Sequence, residues 1–430
     1  MTVSTDTQAK SKVKTLLRTL GPGLITGAAD DDPSGIVTYA QVGAQFGFAM
    51  LWTMLFSFPL MAAIQEICAR LGRITGSGIT VSLKKRYSGT FVYGVVALMC
   101  AANIFNLGAD LAAMGASTAL VLHGSAVIYS VLFGIASLWL QVFVPYRRYV
   151  SYLRWLTLVL FAYVAAVFTV HVPWSKVLRA TLLPSVSWNT EYWMALVAVL
   201  GTTISPYLFF WQTAQEVEEV RLNRGQQPLK NKPHQAWAQF RRISMDTRIG
   251  MALSNLVAFA IILTTAVALH DSSTSIRSAA DVAAALKPVA GRFAFALFAL
   301  GIIGTGLLAI PVLAGSAGYA IAEIFQWRAS LESKPRDAFG FYAVISVATI
   351  VGISFNFIGL DPVRALYWSA ILNGLAAFPA MYAVMKVSSD ATIVGTFRLP
   401  RVLLWLGWIA TSTMLTASMA FLISSLTTRH

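Results

Sequence analysis

The chain has 430 residues, of which 57% are hydrophobic and only 12% charged, and its mean hydropathy is +0.67. Soluble domains carry about a quarter charged residues, so this composition excludes an ordinary water-soluble protein and predicts an integral membrane protein. The formal net charge of +14 could suit a nucleic-acid partner. The basic residues, however, lie in the breaks between apolar runs and do not form one face, so we expect no nucleic-acid binding.

Apolar runs long enough to cross a bilayer predict about eleven transmembrane helices in an all-α protein. Basic residues collect in alternate breaks, which places the N-terminus in the cytoplasm by the positive-inside rule. We expect a multi-pass protein of a cell membrane, the bacterial inner membrane, with no obligatory protein partner besides the lipid bilayer. The predicted helices are 20–47, 49–71, 90–117, 126–144, 150–170, 190–220, 242–269, 290–325, 339–358, 362–386 and 400–426.

Two of these helices are interrupted, and their spacing predicts the architecture. Three consecutive acids and Pro33 break the first helix, and a hydroxyl-rich run with Pro206 breaks the sixth. Each break therefore lies in the first helix of a five-helix unit, and an odd helix count inverts the second unit relative to the first. Simple proline kinks are the alternative, although kinks do not require three aspartates. The predicted divisions are a cytoplasmic tail over 1–19, inverted repeats over 20–170 and 190–386, and an extra helix with the C-terminal tail over 400–430.

The residues at the two breaks favour a cation site made of oxygen atoms. An acid at the bilayer centre is costly unless it faces a cavity, pairs or binds an ion. Pro33 frees backbone carbonyls beside Asp32. The sixth helix adds the hydroxyls of Thr202, Thr203 and Ser205, together with the carbonyl near Thr202 that Pro206 leaves unpaired. Oxygen ligands suit magnesium, calcium or manganese, and magnesium needs only one or two carboxylates because it keeps much of its water.

Two polar residues in other helices have open interpretations. Asp110 in the third helix is either a second acid along the permeation path or a structural hydrogen-bond partner. Asn373 in the tenth helix either offers an amide oxygen to the ion or bridges helices. None of the five histidines falls in mid-membrane, so a histidine proton relay has no evident residue.

At this point the sequence resembles the NRAMP divalent metal transporters along most of its length. Gly21-Pro22-Gly23 leading into Asp32-Pro33-Ser34-Gly35 resembles the family's Gly-Pro-Gly start and its Asp-Pro-Gly-Asn signature. Arg70-Leu71-Gly72 with Thr75-Gly76 resembles the end of its second helix, and Ser205-Pro206-Tyr207 stands where the family has Met-Pro-His. The resemblance implies the inverted-repeat, LeuT-like fold of sodium-coupled amino-acid transporters, with ten core helices and one extra helix.

The departures from the family pattern concern the ion and its coupling. Gly35 replaces the signature Asn, Ser205 the Met and Tyr207 the His, while Gln212 lies near the family's second histidine of that helix. Loss of the thioether removes a soft ligand, and loss of the histidines weakens the case for proton coupling. The pattern is similar to the prokaryotic NRAMP-related magnesium transporters. It implies transport of Mg²⁺, and also Mn²⁺, without proton coupling.

These inferences give the following expectations. The protein is not an enzyme and has no resident cofactor, because the divalent ion is its transported substrate. A proton-coupled manganese or iron transporter and a sodium-coupled organic solute carrier of the same fold are the alternatives. An intramembrane aspartyl protease lacks its flanking signatures here. The expected metal ligands are Asp31, Asp32, Gly35, Thr202, Ser205 and Asn373, and the expected pathway or gating residues are Thr203, Tyr207, Asp110 and Gln212.

Overall fold

The computed structural model describes residues 22–223, 225–270, 276 and 278–427, and this part of the chain is built of helices and their connections. Within these described residues, nine helical segments are long and apolar enough to cross a membrane. The shorter apolar helix Phe339–Phe355 and the interrupted pair Pro22–Asp30 and Pro33–Phe46 bring the number of crossing segments to eleven. The predicted tail over 1–19 and the end of the predicted C-terminal tail lie outside the described residues.

We name the crossing segments as numbered spans in chain order. They are span 1a (Pro22–Asp30), span 1b (Pro33–Phe46), span 2 (Trp52–Thr75), span 3 (Gly89–Leu122), span 4 (Ala126–Phe143), span 5 (Tyr146–Val167), span 6a (Thr190–Thr203), span 6b (Pro206–Leu222), span 7 (Ala236–Leu269), span 8 (Ala294–Phe325), span 9 (Phe339–Phe355), span 10 (Pro362–Ser388) and span 11 (Arg401–Thr427). Short helices connect them at Ile79–Lys84, Trp174–Leu182, Ala279–Ala284, Lys287–Ala290 and Ala391–Val394.

The spans agree with the predicted helices to within a few residues at most ends. The largest difference is at span 7, which begins six residues before the predicted 242. Its 34 residues are about 51 Å long at 1.5 Å per residue, so the helix extends well beyond the hydrocarbon layer on a polar first stretch. Hydropathy marks only the part inside the lipid, which explains the shorter prediction. The assignment of five-helix repeats over 20–170 and 190–386 stays a prediction.

Both interrupted spans restart in the same way. Asp32 and Ser205 have extended backbone conformations and serve as N-cap residues, each followed by a proline at the first helical position. Proline disfavours helical geometry in the residue before it but fits the first turn of a new helix. The sequence Asp-Pro or Ser-Pro therefore ends one half-helix and begins the next. The two half-helix junctions lie in spans 1 and 6, as the sequence predicts.

Small residues bring the half-helices close to their neighbours. A Cβ on Gly27 of span 1a would lie 2.4 Å from the backbone of Gly250 in span 7. A Cβ on Gly201 of span 6a would lie 2.1 Å from the carbonyl oxygen of Ala370 in span 10. Such contacts are typical of membrane helices, where small residues allow backbones to approach. Spans 1a and 6a are thus held against spans 7 and 10 through backbone contact.

The outer surface of the bundle is suited to lipid. In span 4 the side chains of Ile128, Leu132, Ile135 and Trp139 are all more than half exposed, and they follow the three- and four-residue spacing of one helix face. A stripe of this kind facing water would be unfavourable, whereas facing hydrocarbon it is expected. Span 4 therefore lies at the periphery of the bundle.

Ion pairs close one end of the bundle, which we call the basic end because the described arginines of spans 2 and 7 gather there. Glu216 of span 6b is fully buried and pairs with Arg242 of span 7. Arg73, also buried, donates to the side chain of Gln226 over 2.8 Å. Gly72 packs so tightly that a Cβ would lie 2.5 Å from the Thr213 carbonyl. Spans 2, 6b and 7 are therefore in contact at this end.

Candidate metal centre

Asp32 lies at the centre of the candidate site, and its carboxylate is buried and held by four donors. One oxygen, Oδ1, accepts from the hydroxyl of Ser34 and from the backbone N–H of Gly35, both over 2.7 Å. The other, Oδ2, accepts from Asn106 Nδ2 over 2.9 Å and from the Tyr207 hydroxyl over 3.4 Å. A carboxylate offers about four lone-pair positions, so this set fixes its orientation. The structure therefore brings Asp32 and Tyr207 together across the two breaks.

Asn106 connects Asp32 to a third element. While its amide nitrogen donates to Asp32, its Oδ1 accepts from the hydroxyl of Ser369 in span 10 over 2.8 Å. About one turn earlier in span 3, a second asparagine also connects two helices: Asn103 Nδ2 donates to the Ser316 hydroxyl of span 8 over 2.8 Å. Sequence reasoning missed Asn106. The available signal was an amide in mid-span within an otherwise apolar helix, the same signal that singled out Asn373.

The break in span 6 is satisfied locally. The Ser205 hydroxyl lies 2.6 Å from the Gly201 carbonyl oxygen and 2.9 Å from the Thr202 carbonyl oxygen, so its one proton is shared between these two acceptors. The sequence led us to expect an unpaired Thr202 carbonyl, but the hydroxyl of the residue before Pro206 replaces the missing backbone donor. A carbonyl has a second lone pair, so the Thr202 oxygen can still accept a further ligand.

The hydroxyls of the two threonines in span 6a have different surroundings. Thr202 lies within 3.0 Å of the Tyr39 hydroxyl in span 1b, which joins the two breaks a second time. Both threonine hydroxyls also lie within reach of the Val199 carbonyl of their own helix, at 2.9 Å for Thr202 and 3.0 Å for Thr203. Thr202 therefore contacts both its own helix and span 1b, whereas the hydroxyl of Thr203 is used within span 6a.

Asp30 and Asp31 share one partner. The Ser254 hydroxyl of span 7 lies 2.7 Å from Asp30 Oδ2 and 3.0 Å from Asp31 Oδ1, and both acids are almost fully buried. The described ion pairs include neither these two acids nor Asp32. Buried carboxylates without a basic partner are costly unless protons or bound cations compensate them. The end of span 1a is therefore a place where positive charge is favoured.

Three further predicted residues are buried with unused polar atoms. Both carboxylate oxygens of Asp110 and both amide atoms of Asn373 are buried without a hydrogen-bond partner. Asp110 interacts electrostatically with Asp32 and lies near the backbone N–H of Ser34. Gln212 accepts from Thr26 of span 1a, but its amide nitrogen is also without a partner. Polar groups of this kind cost free energy in a closed state and are available to an ion or to water.

Gly35 brings the backbone of span 1b close to Asp32. A Cβ there would lie 3.5 Å from Asp32 Oδ1 and 3.4 Å from the Asp30 carbonyl oxygen, which is ordinary van der Waals contact. Within the described ranges, no group of three or more His, Cys, Asp or Glu side chains has the arrangement of a metal cluster. The candidate site thus consists of one carboxylate fixed at the break, with backbone, hydroxyl and amide oxygens around it.

The chain is similar to known transporters along most of its length. A family model described as "Natural resistance-associated macrophage protein-like" (Nramp) matches residues 23–424. Among curated proteins, the divalent metal cation transporter MntH of Mycobacterium leprae is 25% identical over 403 residues, 90% of this chain and 87% of that protein. MntH of Verminephrobacter eiseniae is 23% identical over 397 residues, 89% of this chain and 84% of that protein.

Solved structures show the fold. A manganese transporter of Eremococcus coleocola, in complex with an aromatic bis-isothiourea compound, superimposes with a TM-score of 0.74 at 18% identity, covering 96% of this chain and 87% of that one. MhsT in complex with L-phenylalanine superimposes with a TM-score of 0.57 at 14% identity, covering 94% and 97%. The predicted LeuT-like, all-α fold class with interrupted spans 1 and 6 is confirmed.

Proposed function

The chain belongs to the Nramp family of divalent metal cation transporters, and we propose that its preferred ion is magnesium, with manganese also accepted. Its matched relatives are transporters, which confirms the expectation that it is not an enzyme. The proposal places the ion at the junctions of spans 1 and 6, next to Asp32. In this proposal the protein lies in a cell membrane, with its N-terminus in the cytoplasm.

The choice of ion rests on one observation, the chemical types of the groups that surround Asp32. Its partners are Ser34, Gly35, Asn106 and Tyr207, and none of them offers sulfur or imidazole. Hard oxygen ligands favour magnesium and manganese, whereas thioether or imidazole would favour iron, zinc or copper. Ser205 stands where the family has methionine, and its hydroxyl caps backbone carbonyls, so a soft ligand is missing at that position.

Magnesium also fits a site with one fixed carboxylate. It holds its water firmly and binds through one or two carboxylates. Gly35 has no side chain that could supply a ligand where the family has asparagine, and the position that a Cβ would take lies 3.5 Å from Asp32 Oδ1. We infer that water replaces this ligand as part of the ion's hydration shell. On ion binding the Asn106 amide would rotate, so that its oxygen faces the ion in place of its hydrogen bond to Asp32 Oδ2 and its nitrogen donates to the Ser369 hydroxyl oxygen.

Absence of proton coupling is the second part of the proposal. The direct partners of Asp32 do not exchange protons near neutral pH. The four described histidines cap the ends of spans 3 and 7 or lie in connections; they are His123, His171, His234 and His270. Asp110 is a further buried acid near the site, beside Asp30 and Asp31, and we assign it to the ion path.

The proposal is tested by flux measurements on purified full-length protein in liposomes. Uptake of Mg²⁺ and Mn²⁺ is followed with interior indicators, with and without an imposed pH gradient, and interior pH is recorded in parallel. We expect uptake of both ions, faster for Mg²⁺ at equal concentration, with no acidification that accompanies the ion. Ion-driven acidification, or a flux of manganese alone, would favour the second candidate, proton-coupled manganese transport; the Eremococcus coleocola protein of similar fold is a manganese transporter.

A further inference from the structure

A groove on the lipid-facing side of the bundle lies outside the ion path. It is a cavity of about 380 Å³ between spans 2, 7 and 11. Its lining changes character along its length: Arg70, Glu66, Ser244 and Arg248 lie toward the basic end, and Phe58, Pro59, Ala62, Val402 and Leu406 form the remainder. We propose that this groove binds an anionic phospholipid, with the phosphate on Arg248 and one acyl chain along spans 2 and 11.

The polar part of the groove lies at the level of the lipid headgroups. From Arg248 to the end of span 7 at Leu269 there are 21 residues, or about 32 Å of helix, which is close to the thickness of the hydrocarbon core. From Trp52 at the start of span 2 to Arg70 there are 18 residues, or about 27 Å. Both arginines therefore lie where the hydrocarbon ends and the phosphates of the leaflet at the basic end begin.

The apolar part has the length of an acyl chain in one leaflet. From Arg70 back to Phe58 the helix rises about 18 Å, compared with about 15 Å for half of the hydrocarbon core. Span 11 lies opposite and contributes Leu403 and Leu406 to the same wall. A lipid whose headgroup is bound at the arginines thus finds an apolar wall on span 2 for the depth of its chain, and on span 11 for about one helical turn.

The charges at the headgroup position favour an anion. Glu66 accepts from Arg70 over 3.0 Å and 2.7 Å, and this arginine also stacks on the ring of Phe240 at 4.4 Å. Arg248 is held loosely, 3.7 Å from the other Glu66 oxygen, and its side chain is 63% exposed. Two arginines and one glutamate leave a net charge of +1, and Arg248 has donors to spare.

Ser244 completes the proposed phosphate site. It lies four residues before Arg248, so both side chains project from the same face of span 7. A guanidinium and a hydroxyl on one face can bind two oxygens of one phosphate, and arginine suits phosphate because of its planar set of donors. A phosphatidylglycerol headgroup keeps the full negative charge, whereas the choline of phosphatidylcholine offsets it. The groove should therefore distinguish these two lipids.

The test compares lipid retention by variants of the full-length protein in native mass spectrometry. Purified protein is titrated with dioleoyl-phosphatidylglycerol or dioleoyl-phosphatidylcholine, and the occupancy of the tightest site is measured. Arg248→Gln should weaken phosphatidylglycerol binding about tenfold, as expected for the loss of one charge-assisted hydrogen bond. Arg241→Gln is the matched control, because Arg241 is an exposed arginine of the same helix that stacks on Trp237 and does not line the groove.

Three results would overturn the proposal. The first is equal phosphatidylglycerol affinity in the wild type and Arg248→Gln, and the second is equal retention of phosphatidylcholine by the wild type. The third is a thermal stabilisation of the wild type by inorganic phosphate as large as that by phosphatidylglycerol, which would mean that the acyl chain is not recognised. Ser244→Ala should reduce affinity by less than Arg248→Gln, since it removes only a neutral donor. None of these readouts depends on transport, so they stand apart from the ion proposed above.

Discussion

Replacing Asp32 separates the charge of the site from its structural role. Asparagine in place of Asp32 keeps an oxygen that can cap span 1b, because Asn and Asp are about equally good N-cap residues. Alanine removes the cap at about 1 kcal/mol. It also leaves buried donors such as Asn106 unsatisfied, at about 1–3 kcal/mol each. The amide of Asp32→Asn keeps one accepting oxygen and loses the other, so we expect this variant to melt below the wild type but clearly above Asp32→Ala.

The loss of ion affinity on removal of the Asp32 charge follows from the distance between that charge and the bound ion. A unit charge about 4 Å from a divalent ion contributes about 8 kcal/mol at an effective dielectric constant of 20. Even if only a quarter of this survives competition with water, about 2 kcal/mol, the affinity falls about thirtyfold when the charge is removed. Asp32→Asn should therefore lose Mg²⁺ uptake at low ion concentration while remaining folded.

The assay is initial Mg²⁺ uptake into proteoliposomes over a range of concentrations, with melting temperatures measured on the same preparations. Asp337→Asn is the matched control, since Asp337 is exposed in the connection between spans 8 and 9. Wild-type uptake by Asp32→Asn would refute the placement of the ion. Loss of uptake that coincides with a large fall in melting temperature would refute the separation of charge and cap.

Four further substitutions test other residues of the site and one ion pair at the basic end. Ser205→Met should raise manganese uptake relative to magnesium because it restores a soft ligand, and an unchanged ratio in competition assays would remove Ser205 from the selectivity argument. Asp110→Asn should slow Mg²⁺ uptake without changing its response to a pH gradient; a pH response abolished by this variant would identify Asp110 as a proton acceptor. Arg242→Gln leaves the Glu216 carboxylate buried without its partner. The melting temperature should therefore fall by the equivalent of about 3–5 kcal/mol, and the double variant with Glu216→Gln should recover part of this lost stability. An unchanged melting temperature would show that the pair is not buried in solution. Asp30 and Asp31 both lie beside the Ser254 hydroxyl, and one proton held between them would satisfy both contacts. Asp30→Asn should retain uptake, because its amide can donate to Ser254 in place of that proton. Complete loss of uptake, measured beside Asp31→Asn, would contradict the sharing of the proton.

The sequence predicts the spans well for a physical reason. A helix in hydrocarbon must satisfy its own backbone, so the apolar length alone determines where most helices begin and end. The two breaks are equally local, since Asp-Pro and Ser-Pro each force an extended residue followed by a new helical turn. Helices outside the lipid, such as Trp174–Leu182, carry no such constraint and were not predicted.

The contacts of the site depend on how the helices are rotated and packed, which local patterns do not reveal. Asn106 reaches Asp32 from 74 positions away in the sequence, and Ser254 reaches Asp30 from 224 positions away. The closing of the Thr202 carbonyl by Ser205 also depends on a side-chain rotamer. The sequence could therefore identify the chemical types at the breaks but not their partners.

Charge balance connects the three acids of span 1 to the proposed ion. A hydroxyl carries one proton, so Ser254 can donate to Asp30 or Asp31 but not to both at once. Both distances are satisfied together if one of these acids is protonated and donates to the Ser254 oxygen, while Ser254 donates to the other. The pair then carries one negative charge, and with Asp32 the three acids of span 1 carry two, which a divalent cation neutralises. A proton held in this way is a resident of the site and not a co-substrate, so three acids in mid-membrane are compatible with a divalent carrier that is not driven by protons.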